Sequence, residues 1–450
     1  MLPCTHRALR KILDHYKHAG CRWLDDMRYL YSACLALLLP FLWLILWWRY
    51  RGSDYNKRWR ERLGVVAVDR RHPCLWLHTA SVGEVIAAKK LIDHLIGHYP
   101  NYRLMITTTT PSGAERVAEL FADRVRHCYL PYDLPYCIIR FLRAFRPAAL
   151  LIMETEMWPN ILACCHRMAT PAVLINARMS ARSCRAYLRV AALSRPMFAQ
   201  LTAVVAQTRA DAKRLQWLGA NNINVSGNIK LDIAVTADLK KQAAALATSW
   251  SKRRQRSILI AASTHRGEDE QLLQGLGQLK QWQAAILLVL VPRHPQRAEA
   301  IKQCCLQRGY RVRYHSERRV DKNTDIIIVD TIGELMAMYG ASHLAFVGGS
   351  LVDHGGHNVL EPAAWGLPII TGPSVYNFGA IIDGLIAVEG ICLVNNNGEL
   401  AEKLMQLLAD RTTREHMARA AHHYVISNRG ALAKLIHCLD AIIATLPIES

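Results

Sequence analysis

From residue 74 onward, short apolar runs alternate with stretches whose apolar positions recur every three or four residues. The first pattern reads as buried strand, the second as amphipathic helix. Runs at 74–78, 103–107, 148–153, 171–175, 203–206 and 223–225 predict strands, with helical spacing between them, as at 113–121 and 208–218. Such alternation implies parallel βαβ units. The rhythm lapses over 227–257, which closes on the basic run Lys252-Arg253-Arg254-Gln255-Arg256 and predicts an inter-domain connection. SILIAAS, AAILLVLV, DIIIVD, HLAFVGG and LPIIT then predict a second series of strands, and helices follow from 398 to the end. The expected class is α/β: two doubly wound, Rossmann-like domains in tandem, with the active crevice between them.

One stretch departs from the alternation. Residues 29–48, YLYSACLALLLPFLWLILWW, carry no charge over 20 positions and are bracketed by Arg28 and by Arg49 and Arg51. That length can cross a hydrocarbon core, and Trp43, Trp47, Trp48, Tyr29 and Tyr31 suit its interfaces. Residues 27–50 therefore read as a membrane anchor, the alternative being a buried or membrane-surface helix kinked at Pro40. Basic residues at both ends leave its orientation open, and no small-residue cleavage site follows it. Residues 1–26 are polar and basic without a core pattern, and read as an extension ahead of a natural start at Met27.

Composition narrows the class. A 450-residue chain allows about three domains, and 51% hydrophobic residues supply large cores. The 56 Lys and Arg against 36 Asp and Glu give +20, which implies an anionic partner. No nucleic-acid-binding motif is present. The 13 cysteines form no C-x-x-C pair and read as reduced thiols of a cytosolic compartment, without a structural zinc site.

The chemistry lies where strands give way to helices. LWLHTASVGEVIAAKKLIDHL (75–95) puts Glu84 at such a junction. Ser81-Val82-Gly83-Glu84 fits a capping box, but ligands of open α/β sheets also bind beyond the strands' carboxyl ends. Three junctions in the second half have the same character. Thr264-His265-Arg266-Gly267-Glu268 opens a helix after one strand, and Arg293 and His294 follow the next. FVGGSLVDHGGHNVLEPAAWGLPIITGP (346–373) combines glycines with His357, Asn358 and Glu361. Glycines let a ligand approach the backbone, and a carboxylate there can accept from ribose hydroxyls. Ordinary caps and turns are the alternative for any one of them. There is no G-x-G-x-x-G fingerprint, no phosphate loop and no D-x-D pair, so a nucleotide phosphate would be held by backbone amides and cationic side chains.

HTASVGE (78–84), TTTTPSGAE (107–115), METEMWPN (153–160), NARMSARS (176–183), GNIKLD (227–232), STHRGE (263–268), PRHPQR (292–297), DTIGEL (330–335) and GGHNVLEPAAWGLP (355–368) occur in this order. With these motifs, residues 27 to 440 resemble the bacterial 3-deoxy-D-manno-octulosonic acid (Kdo) transferases, which move Kdo from CMP-Kdo onto the lipid A precursor. Thr79 stands where the family pattern leads us to expect alanine. The resemblance implies a GT-B fold: an acceptor-binding domain at 51–232, a CMP-Kdo-binding domain with the terminal helices at 233–450, and the membrane segment ahead of both. It implies no cofactor and no metal, and an enzyme at the cell inner membrane with its domains on the cytoplasmic side. It leaves the oligomeric state and the number of Kdo residues transferred open.

The resemblance also assigns roles. It implies Glu84 as general base of an inverting displacement, with Glu154 and Lys230 stabilising the transition state. Capping of a helix near Trp158 is the alternative for Glu154 and Glu156. Arg293, His294, Ile332, Gly333, Glu334, Asn358, Val359, Leu360 and Glu361 match the donor contacts, while His357 is a neighbour or a structural residue. Ser81, Arg178, Arg182 and Arg185 are expected on the acceptor side. Arg182, Arg185 and Arg189 are spaced to share one helix face, and Lys57, Arg58, Arg60 and Arg62 cluster after the membrane segment. Both sets suit lipid phosphates and an anionic membrane surface, or are simply solvated. A UDP-sugar transferase with a lipid acceptor, and a non-catalytic membrane tether, are the competing readings.

Overall fold

The computed structural model describes residues 22–49, 51, 54–67, 73–251, 256–281, 286–318, 320–321 and 323–446. The expected extension up to residue 21, and positions 252–255 of the basic run, lie outside them.

The chain divides into two compact units, Met1–Lys230 with Gly430–Ser450, and Leu231–Arg429. The first holds a parallel sheet of β1 (Cys74–His78), β2 (Arg103–Thr108), β3 (Arg126–Tyr129), β4 (Pro147–Met153), β5 (Ala172–Ala177), β6 (Ala203–Ala206) and β7 (Ile223–Val225), in the order β3-β2-β1-β4-β5-β6-β7. β1 lies between β2 and β4, with Leu77 opposite both Ile106 and Leu151. Its side chains alternate between two cores: Trp76 packs with Phe141 and Leu150 on one face, Leu75 and Leu77 with Val85 and Leu91 on the other. Burial on both faces is why these strands read as continuous apolar runs.

The second unit repeats the design with β8 (Ser257–Thr264), β9 (Ile286–Pro292), β10 (Val312–Tyr314), β11 (Ile326–Ile328), β12 (Leu344–Val347), β13 (Ile369–Thr371) and β14 (Ile391–Leu393), ordered β10-β11-β9-β8-β12-β13-β14. β3, β10 and β14, which the apolar pattern does not predict, are all edge strands. Edge strands are short and half-paired, so they need no continuous apolar run.

The expected placing of every terminal helix in the second domain is corrected. Helices Asn397–Ala409 and Arg411–Ser427 do belong to the second unit, but Ala431–Ile443 returns to the first. Its stripe of Ala431, Leu435, Leu439 and Ile443 is buried against Leu91, Leu95 and Ile229. Each buried leucine contributes about 1.5–3 kcal/mol, enough to fix the assignment. The boundary falls after Lys230, two residues before the expected one.

Helix Arg22–Arg49 includes the uncharged segment. Its stretch Met27–Arg49 is long and apolar enough to cross a membrane.

Candidate active site

In the first sheet the strand order reverses between β1 and β4, and their carboxyl ends frame the crevice that such a switch point opens. Glu84 follows β1 and Glu154 follows β4. Ser81 is the N-cap of helix Val82–His98, yet its hydroxyl accepts no helix N–H. It donates to Glu84 Oε1 at 3.2 Å, while Glu84 Oε2 accepts from the Ala80 N–H at 2.8 Å. The reciprocal capping box is therefore not formed, and Glu84 folds back over the loop.

Glu84 is buried, and burial is the main cause that pushes its carboxyl up to about 7. The Ala80 hydrogen bond pulls the other way, Glu154 and Glu156 add repulsion, and the Ser81 hydrogen bond lowers it by less. Desolvation disfavours the charged form of a carboxylate, and here it decides the direction. A carboxyl near neutrality is suited to taking a proton and giving it up. Thr79, immediately after β1, is fully buried.

Glu154 has a left-handed backbone, φ +57°, a conformation that costs about 1–3 kcal/mol away from glycine. Its N–H donates to the Ile175 carbonyl at 3.0 Å, and its carboxylate pairs with Lys230 Nζ at 2.6 Å. Glu156 lies beside it, its carboxyl raised chiefly by burial and further by the Glu154 charge. Helix Pro159–Arg167 is capped by neither: its N-cap is Trp158 and its first turn holds no acidic residue.

Lys230 is delivered by a residue that sequence reasoning did not single out. Asn176, fully buried at the carboxyl end of β5 with φ +49°, accepts the Ile229 N–H on Oδ1 at 3.1 Å. The Asn176 carbonyl accepts from Gln207 Nε2 at 3.0 Å, so the asparagine ties two loops to the strand end. NARMSARS and GNIKLD, 53 positions apart at this contact, meet through it.

Helix Ala181–Arg189 forms as the arginine spacing predicts, with Arg182, Arg185 and Arg189 exposed and Cys184 buried. Arg178 is half-buried, and its N–H reaches the Glu154 carbonyl at 3.4 Å. The second basic cluster resolves differently. Arg58 is held by Glu61 through two hydrogen bonds, and Arg62 is buried, donating to the Leu130 and Thr109 carbonyls. Those two are occupied within the fold and are not free to bind lipid phosphate.

In the second sheet the order reverses between β8 and β12, and of the residues expected at the donor site Arg293 and His294 gather there with His265, His354 and His357. Glu268 is the tie, and it is structural: its carboxylate accepts from the N–H groups of His265, Gly349, Ser350 and Leu351 at 2.7–3.0 Å. Gly348 is required there, because a Cβ would stand 2.8 Å from Glu268 Oε2. His265 and His357 meet at 2.8 Å between their Nε2 atoms, His354 stacks on His265 with centroids 4.1 Å apart, and His294 approaches edge-on at 6.0 Å. Burial lowers His357 to about 4, with His265 and Arg293 adding to the effect. His354 carries no sequence signal beyond its glycine-rich surroundings.

Arg293 and His294 are exposed at the end of β9. Asn358 donates from Nδ2 to Glu361 Oε1 at 3.0 Å and accepts the Leu360 N–H at 3.1 Å. Val359 and Leu360 are buried in an apolar core, so only their backbone can face a ligand. The Ile332–Glu334 loop follows β11: Ile332 is 84% exposed, and Gly333 has φ +96°. Glu334 accepts from Thr331 Oγ1 at 2.7 Å and faces His315 at 3.3 Å, which hold its carboxyl below the usual range.

Residues 57–233 match the 3-Deoxy-D-manno-octulosonic-acid transferase (kdotransferase) family, and residues 313–424 match glycosyl transferases group 1. A 3-deoxy-D-manno-octulosonic acid transferase from Haemophilus influenzae is 39% identical over 412 residues, 90% of this chain and 95% of that protein. One from Bordetella pertussis is 32% identical over 429 residues, 92% and 99% of the two chains. Among solved structures, Acinetobacter baumannii MurG superposes with a TM-score of 0.51 at 11% identity, covering 82% of this chain and 99% of that one. At that identity the likeness speaks for the fold alone, and the fold is GT-B, as the sequence leads one to expect. By the identity and extent of the two relatives, the chain belongs to the 3-deoxy-D-manno-octulosonic acid transferase family.

Proposed function

We propose that this chain transfers Kdo from CMP-Kdo to the lipid A precursor lipid IVA by an inverting displacement, without cofactor or metal. The observation that carries the mechanism is Glu84: buried at the end of β1, raised to about 7, and beside the Glu154–Lys230 pair. Its carboxylate takes the proton of the attacking acceptor hydroxyl as the glycosidic bond forms and CMP leaves. Glu154 stabilises positive charge developing on the sugar, and Lys230 meets the donor's carboxylate or phosphate.

The first unit takes the lipid acceptor, with Ser81, Arg178, Arg182 and Arg185 on that side. In the second unit, the exposed Arg293 and His294, the Gly333 loop and the amides around Asn358–Glu361 hold CMP. The apolar helix and the charge of +20 favour an anionic membrane surface, here the cytoplasmic face of the inner membrane.

The test is a transfer assay on purified full chain with fresh CMP-Kdo and a tetraacyl lipid A precursor, read by mass spectrometry with and without chelator. Kdo-bearing product from wild type, lost in Glu84→Gln and indifferent to chelator, is expected. Folded wild type giving no product from intact donor would sink the substrate assignment. Equal product from both proteins would remove Glu84 from the mechanism.

A further inference from the structure

The apolar helix is not a free tether. Its inward positions recur at Arg28, Ser32, Leu35, Leu39 and Leu46, one stripe along the length of the helix. At the start of that stripe Arg28 is buried and donates to Asn160 Oδ1 at 3.3 Å, while Ser32 and Asn160 exchange a hydrogen bond at 2.9 Å. At its end Leu46 packs on Tyr55, Ala114 and Tyr129, and Asn56 Nδ2 donates to the Trp47 carbonyl at 3.1 Å. The helix is thus fastened to the first unit at two places 18 residues apart, a span of about 27 Å.

A bilayer's hydrocarbon core is about 30 Å thick. A helix crossing it while held lengthwise would take both fastening points into hydrocarbon. One carries the Arg28–Asn160 contact, and the other has Arg58 and Arg62 stacked over Tyr129. Charges at that depth are costly, so the crossing is disfavoured. The opposite stripe is the most exposed part of the helix: Leu37, Phe41, Leu44 and Trp48 are 61–74% exposed.

We infer that this helix lies in the plane of the membrane, sunk into one leaflet by its Leu37–Phe41–Leu44–Trp48 face, with its two ends on the same side. The occupant of that face is an anionic lipid monolayer. Helix Ala191–Ala199 packs against the apolar helix and also against Ala181–Arg189, which exposes Arg182, Arg185 and Arg189 where lipid phosphates would lie. No acidic residue interrupts 178–195. The inference rests on the membrane-associated reading above and sharpens it.

The test places an epitope tag ahead of Met1 of the full chain, expressed in a bacterial host, and adds protease to spheroplasts and to inverted membrane vesicles. The in-plane helix predicts that tag and catalytic units are both protected in spheroplasts and both cut in inverted vesicles. A tag cut in spheroplasts while the units survive would show a crossing helix, overturning the inference but leaving membrane association intact. A chain recovered wholly in the soluble fraction would instead overturn membrane association, and the inference with it. In vesicle flotation, Phe41→Glu with Leu44→Glu should abolish binding to vesicles containing phosphatidylglycerol without changing the thermal transition. Undiminished binding of a folded double variant would exclude that face as the contact.

Discussion

The two sheets share a topology but collect opposite chemistry at the same place. At the switch point of the first, three carboxylates crowd together and the desolvated Glu84 rises to about 7, with one lysine balancing Glu154. At that of the second, histidines and Arg293 gather, and the carboxylate among them, Glu268, is consumed by four backbone N–H groups. On the proposed reading, one strand end accepts a proton and the other receives an anion. The fold supplies the position, and the side chains placed there decide what it can do.

The largest expected break in this comparison is Glu84→Gln, which keeps the shape and removes the base. The rate of transfer should fall about 10²–10⁴-fold in single-turnover assays. The wild-type rate should rise with pH through about 7, as the base loses its proton. Stability moves the other way: in the window between the ordinary carboxylate range and about 7, the folded chain keeps a proton that the unfolded chain releases. Glu84's contribution to stability therefore falls as pH rises through that window and levels off above it. Glu84→Gln should flatten both profiles, measurable by kinetics and thermal melts between pH 5 and 8 in the same buffers (~0.5-unit steps suffice for a one-proton curve).

Glu268→Ala attacks the second switch point through the fold instead. Four backbone amides, two of them buried, lose their acceptor, and a loss of at least about 3 kcal/mol is expected in denaturant unfolding. An unchanged midpoint would mean that the loops after β8 and β12 hold themselves. Arg293→Ala, at an exposed position, should leave stability unchanged and weaken CMP binding about 10-fold or more, the worth of one charge-assisted hydrogen bond. Calorimetric titration with CMP checks it, and an unaltered affinity would remove Arg293 from the donor site. The smallest effect is that of Glu156→Gln, which takes one negative neighbour from Glu84. The acidic limb of the rate profile should move to lower pH by a fraction of a unit, and a shift upward would contradict the proposed coupling.

Much of this could be read along the chain. Buried strands declare themselves as apolar runs because both faces of a parallel sheet are covered, so β1, β4, β8 and β12 fall where expected. Glu84, Arg293 and Glu361 are legible because they follow such runs. The edge strands β3, β10 and β14 are not, since an edge carries a weaker apolar demand.

The sequence by itself determined the class of fold, the order of its strands along the chain, the motif set and the residue types at each strand end. All of these are local: they depend on periodicity and on neighbours a few positions away. Tertiary structure alone decided what depends on distant partners. It brought Asn176 to Ile229 and so set Lys230 beside Glu154. It assigned Glu268 to the loop amides, returned helix Ala431–Ile443 to the first unit, and fastened the apolar helix at both ends. It also fixed the protonation of Glu84, because desolvation depends on everything packed around a group and not on its place in a motif.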